Sequence, residues 1–276
     1  MGYSLEEVRV RAKREPFRAG VRMRYVMPRI SVRLTRWILN HLPSVTPNQV
    51  TVVSAVAGLL VAGLLVVGQT WQVMVAAFLV YQLHLLLDYV DGELARVKGL
   101  ESPVGGYFDL MVGRLTKPLI LYGAVLGSWL SRAAPGDVPL DLLLGTLILL
   151  GFFLDKEAVD CWYRANQGRT DIEDRYEVAS SRAFTGAKRL VIRALIGLRG
   201  LQAFLVYQIL AVLAEQSGIT KISYLPGHSL PPRTMVLVLY AVVFPALALA
   251  RSLYIARTGY VPRRQYLVRS RKGEAA

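Results

Sequence analysis

Residues 50–68 run Val-Thr-Val-Val-Ser-Ala-Val-Ala-Gly-Leu-Leu-Val-Ala-Gly-Leu-Leu-Val-Val-Gly without a charged side chain. An uncharged apolar stretch of this length matches the roughly 30 Å hydrocarbon core of a bilayer, where only a helix satisfies its own backbone. Comparable blocks recur along the chain. Beyond 50–68, they predict spans at about 71–96, 106–130, 139–162, 197–215 and 234–256, with Arg193 and Arg199 flanking or interrupting the fifth. The fold class expected is an all-α integral membrane protein with six transmembrane helices. A cytoplasmic basic amphipathic helix is expected to precede them.

The ends frame this bundle. Residues 5–40 mix Arg and Lys with Leu, Val, Ile, Phe and Trp, as in a helix lying along lipid headgroups, and breaks are expected near Pro16 and Pro28. Ser44-Val-Thr46-Pro47-Asn48-Gln49 reads as a helix start, with Thr46 as cap and Pro47 in the first turn. The division is therefore 1–49 juxtamembrane, 50–260 the six-helix domain and 261–276 a basic tail, with a polar insert at 164–189. Nothing in the first 49 residues reads as a cleaved signal, and Glu6 stands where Met1-Gly2 myristoylation needs Ser or Thr.

Lys and Arg total 33 against 19 Asp and Glu, a net charge of +14. The excess flanks apolar spans, so it points to anionic membrane lipids as partners and not to nucleic acid. Six spans put both termini on one side, and that side holds every Lys and Arg except Arg132, Lys221 and Arg233. By the positive-inside rule both termini face the cytoplasm. The single cysteine, Cys161, excludes an internal disulfide, and His41, His84 and His228 show no ligand spacing. Tyr and Trp near span ends read as interfacial anchors.

Carboxylates at the end of the second span need another reason. Asp88 and Asp91 are three apart on one helix and share a face, while Asp109 enters from the start of the next span. Glu93, two residues beyond Asp91, should face away. An acidic residue at the centre of a span costs about 2.5–3.5 kcal/mol on insertion scales, which makes such groups functional by default. Hard oxygen ligands grouped in this way suit Mg²⁺ or Mn²⁺. Gly92 and Ala95 leave room for a ligand, and Arg96 offers a fork donor for phosphate.

The pattern Asp88-x2-Asp91-Gly92-x2-Ala95-Arg96-x8-Gly105-x3-Asp109 resembles, with every spacing intact, the signature of the CDP-alcohol phosphotransferases. The resemblance implies an integral membrane enzyme that moves a substituted phosphate from a CDP-linked lipid donor to a small alcohol or phospho-alcohol, releasing CMP. It implies a pair of divalent ions on Asp88, Asp91 and Asp109. It implies a CDP site lined by Thr46, Pro47, Asn48, Gln49, Gly92, Ala95, Arg96, Ser102 and Gly105, and a homodimer. Lys156, Arg182, Lys188, Arg189 and Arg251 form a candidate basic pocket for an acceptor bearing its own phosphate. The family's fourth aspartate, a metal ligand and general base, is replaced by Gly113.

Three readings follow from Gly113. Either the enzyme uses a substitute base, for which Asp155, Glu157 and Asp160 on the fourth span are candidates; or it is a natural or engineered variant of low activity; or it is a pseudoenzyme that binds CDP-lipid. A transporter using intramembrane acids fits less well, because such acids belong nearer the midplane.

Overall fold

A computed structural model describes residues 2–12, 23–68, 70–130, 138–165, 200–219, 221–225 and 228–258. Among these the helices are α1 (Leu5–Arg11), α2 (Met23–His41), α3 (Pro47–Val67), α4 (Trp71–Lys98), α5 (Pro103–Leu130), α6 (Val138–Ala165), α7 (Leu201–Gln216) and α8 (Pro232–Thr258). Two short strands, β1 (Ile222–Leu225) and β2 (His228–Leu230), pair antiparallel between α7 and α8. This hairpin has no counterpart in the expected layout.

Among the described residues, four helical segments are long and apolar enough to cross a membrane: α3, α4, α5 and Pro232–Ala250 of α8. The remaining two expected spans fall on shorter apolar stretches, Leu140–Leu154 within α6 and the whole of α7. Of the six expected spans, four are of membrane-crossing length among the described residues. Helix α7 starts at Leu201, with Gly200 in extended conformation as its N-cap.

Helix α3 is central and packs on α4 and α5. Its contact with α5 is backbone to backbone. A β-carbon added at Gly123 would stand 2.5 Å from the Ala62 carbonyl oxygen, and one at Gly127 would strike the carbonyl of Leu65. Small residues four apart let two helices approach this closely where lipid offers no hydrophobic drive, so dispersion carries the association. Around this seam the main core gathers Val61, Leu65, Ile120, Ile148, Phe204 and Tyr240, with Phe204 edge-on to Tyr240 at 4.9 Å between centroids. At the far end of the bundle the buried carboxylate of Asp141 accepts from Ser128 at 3.1 Å and from Thr234 at 3.2 Å. One acid thus ties the adjoining ends of α5, α6 and α8.

The N-terminal helices cover the other end. Val8 and Ala12 of α1, Ile38 and Leu39 of α2, Val50 of α3 and Val90, Leu94 and Val97 of α4 form a second core. Helix α2 is therefore held by protein along one face, while Ile30 and Trp37 stay exposed beside Arg29, Arg33 and Arg36. Pro28 does not break it: the helix runs through Pro28 in its second turn. Proline there forfeits one backbone bond, and the burial of Ser31, Thr35, Ile38 and Leu39 offsets that loss. Pro16 lies outside the described residues.

Candidate active site

The motif end of the bundle is where α4 stops and α3 and α5 start. Helix α4 ends on Gly99, whose φ of 65° is left-handed, with Leu100 N–H reaching back to the Ala95 carbonyl at 2.9 Å. Only a residue without a β-carbon takes that conformation at no steric cost. The chain then reverses, and Ser102 caps α5 by accepting from Gly105 N–H at 3.0 Å. Thr46 does the same for α3, accepting from Gln49 N–H at 3.4 Å while Gln49 Oε1 accepts from Thr46 N–H at 2.8 Å. Pro47 and Pro103 occupy the first helical positions.

These two starts lie side by side. A β-carbon at Gly105 would meet Ser102 Oγ at 3.1 Å and Asn48 Oδ1 at 3.7 Å. Two helix N-termini, each carrying partial positive charge, therefore face one region, which is the arrangement that favours phosphate. The preceding loop is fixed by Lys98, which donates to the carbonyls of Pro43 at 2.7 Å and Val45 at 2.6 Å.

The carboxylates of α4 have separate environments. Asp88 is exposed. Asp91 is buried; its Oδ2 accepts from Thr51 at 2.6 Å and its Oδ1 from Gly92 N–H at 2.5 Å. Asp88 and Asp109 both lie within electrostatic reach of Asp91. Glu93 points the other way, as expected, and accepts from Ser31 at 2.5 Å and Thr35 at 2.6 Å on α2. Arg96 folds back over Gly92, where a β-carbon would stand 3.2 Å from its Nη1, and its Nε donates to the Ala12 carbonyl at 3.0 Å. The space left by Gly92 is thus shared with Arg96, and the end of α1 abuts the motif. Ala95, half-buried, provides the carbonyl that anchors the turn.

The structure thus brings together Thr46, Pro47, Asn48, Gln49, Gly92, Ala95, Arg96, Ser102 and Gly105 with Asp88, Asp91 and Asp109 at one end of the bundle. Asp155, Lys156, Glu157 and Asp160 sit on the C-terminal part of α6 and Arg251 on that of α8, and their side chains are not among those described. Arg182, Lys188 and Arg189 lie outside the described residues. Two residues escaped the sequence reading. Thr51 follows Pro47 by one helical turn, which aims its hydroxyl into the bundle; Lys117 stands in the body of an apolar span, itself a signal of function.

For a divalent ion the donor chemistry fits in part. Asp88, Asp91 and Asp109 offer hard oxygens, and the two oxygens of Asp91 keep lone pairs beyond those used by Thr51 and Gly92. Position 113 offers none. Among the described residues no three Asp, Glu, His or Cys side chains stand close enough to enclose an ion without rearrangement.

Four membrane-length helices and a carboxylate-lined site at one end define a multi-pass membrane protein. Residues 44–165, less than half of the chain, match the family model of CDP-alcohol phosphatidyltransferase. Three relatives agree. The bifunctional IPC transferase and DIPP synthase of Thermococcus kodakarensis is 33% identical over 155 residues, which is 53% of this chain and 32% of that protein. The archaetidylinositol phosphate synthase of Pyrococcus horikoshii is 35% identical over 83 residues, 30% of this chain and 42% of the synthase. Inner membrane protein YnjF of Escherichia coli is 32% identical over 124 residues, 45% of this chain and 58% of YnjF. In each case the matched part is less than two thirds of the relative.

Proposed function

We propose that the protein transfers a substituted phosphate from a CDP-linked lipid, of the CDP-diacylglycerol class, to an alcohol, releasing CMP at the cytoplasmic face in phospholipid synthesis. The observation that carries this reading is the meeting of two helix N-termini, at Thr46–Asn48 and Ser102–Gly105, beside the Asp88, Asp91 and Arg96 face of α4. The donor diphosphate would lie against the positive ends of α3 and α5, with Arg96 as a fork donor. Asp88, Asp91 and Asp109 would hold Mg²⁺ or Mn²⁺, which when bound withdraws charge from the phosphates.

The rest falls to the chain. The site holds an acceptor hydroxyl in line with the distal phosphorus of the donor. The hydroxyl oxygen forms the new P–O bond, the bond to CMP breaks, and CMP leaves with the electron pair. The hydroxyl proton passes to a carboxylate of α6, for which Asp155, Glu157 and Asp160 stand at the motif end. The name of the Pyrococcus relative, archaetidylinositol phosphate synthase, favours a phosphorylated inositol as acceptor, with Lys156, Arg182, Lys188, Arg189 and Arg251 available for its phosphate.

The test is CMP release from CDP-diacylglycerol offered with inositol phosphate, glycerol phosphate, serine or inositol. Release that requires Mg²⁺ or Mn²⁺ and disappears in Asp91→Asn is expected. Metal-independent release, or release that survives Asp91→Asn, refutes the reading. Gly113 favours a second reading, a CDP-lipid-binding protein without turnover; metal-dependent CDP binding with no CMP release for any acceptor would establish it.

A further inference from the structure

Asp109, Gly113 and Lys117 follow one another at four-residue intervals on α5 and so line up on one face. With no side chain at 113, the lysine folds back along that face. A β-carbon built at Gly113 would lie 3.7 Å from Lys117 Nζ, so the ammonium borders the volume that a carboxylate at 113 would enter. The charge of Lys117 and that of Asp88 both act on His84 of α4, one turn before Asp88. His84 itself is spent on α3, with Nδ1 at 2.8 Å from the Ser54 carbonyl oxygen. Among the described residues no ion pair joins Lys117. An ammonium this far along a span is costly unless it faces an anion or a polar cavity.

We propose that the Lys117 ammonium takes the place of a second divalent ion, leaving this chain with a one-ion site. The idea rests on the phosphotransferase reading above and on the charge balance. Three carboxylates, one divalent ion and one ammonium are neutral together, as four carboxylates and two divalent ions would be. Adding a second divalent ion beside Lys117 would leave the cluster strongly positive, with like charges in contact and no carboxylate at 113 to separate them. The ligand that the fixed cation then serves is the negative charge of the donor diphosphate, which an ammonium meets as a point charge.

The experiment counts Mn²⁺ bound to the purified chain in detergent with CDP present, from the loss of the free-ion electron paramagnetic resonance signal beyond that caused by the same concentration of CDP without protein. One ion per chain is expected for the unaltered protein, and one for Gly113→Asp, because the new carboxylate pairs with Lys117. Two are expected for Gly113→Asp combined with Lys117→Met. Two ions in the unaltered protein overturn the proposal, as does a second ion in Gly113→Asp alone or a count that stays at one in the double variant. The unaltered count needs no variant to fold. If two ions bind while Asp91→Asn still abolishes CMP release, only the one-ion inference fails; no ion bound in any form overturns both it and the phosphotransferase reading.

Discussion

Replacing Thr51 by valine removes a hydroxyl and little else, and its effect should appear in metal dependence. The Thr51 hydroxyl is buried on α3 and donates to Asp91 Oδ2 at 2.6 Å, a length typical of a hydroxyl meeting a carboxylate. Its other acceptor, the Pro47 carbonyl, is farther at 3.2 Å, so the single proton belongs to Asp91. A hydrogen bond to a charged group is worth about 1.5–3 kcal/mol. Loss of a partner that orients a metal ligand costs roughly 10- to 100-fold in metal affinity, which is about 1.4–2.7 kcal/mol and agrees with the first figure. The concentration of Mn²⁺ giving half-maximal CMP release should therefore rise about 10- to 100-fold in Thr51→Val. The maximal rate at saturating Mn²⁺ should fall much less. Thr51→Ser restores the hydroxyl and should restore the Mn²⁺ dependence. An unchanged half-saturation in Thr51→Val, or a Thr51→Ser protein as impaired as the valine variant, would refute the assignment of Thr51 as the group that orients Asp91.

Glu93→Gln should lower stability by about 1.5–3 kcal/mol, because a carboxylate that accepts from both Ser31 and Thr35 becomes an amide with one accepting oxygen; a thermal melt in detergent identical to that of the unaltered protein would show that this acid does not hold α2. Gly123→Ala should cost about 1–3 kcal/mol by forcing α3 and α5 apart at the Ala62 carbonyl. The same melt checks it, and no change would mean that the seam between the two helices is loose.

The bundle was largely legible in the apolar runs, since lipid demands that each run close its own backbone bonds. What was not legible depended on a second element. Pro28 reads as a helix breaker in isolation, but α2 is stabilised by what its later turns bury against α4, and local propensity yields to packing. The β1–β2 hairpin joins two helices through a stretch with no alternating pattern long enough to announce a strand. Similarly, Asp88, Asp91 and Asp109 could be found from spacing alone, whereas Thr51 acquires its meaning only when α3 lies against α4.

Helix α4 shows why spacing reached the carboxylates but not their states. Each residue turns the helix by about 100°, so Asp91 and Glu93 are some 200° apart and must meet different neighbours. One is received by Thr51 of α3 and the other by Ser31 and Thr35 of α2, both through short bonds from buried hydroxyls. Asp88, on the side of Asp91 but nearer the middle of the helix, stays exposed. The sequence distinguishes these acids only by phase; hydroxyls contributed by other helices decide which one is clamped and which is presented. Glu93 fixes α4 in rotation against α2, and the same rotation brings Asp91 to Thr51 of α3. A substitution at Glu93 that frees α2 should therefore misdirect Asp88 and Asp91, although its own carboxylate points away from them.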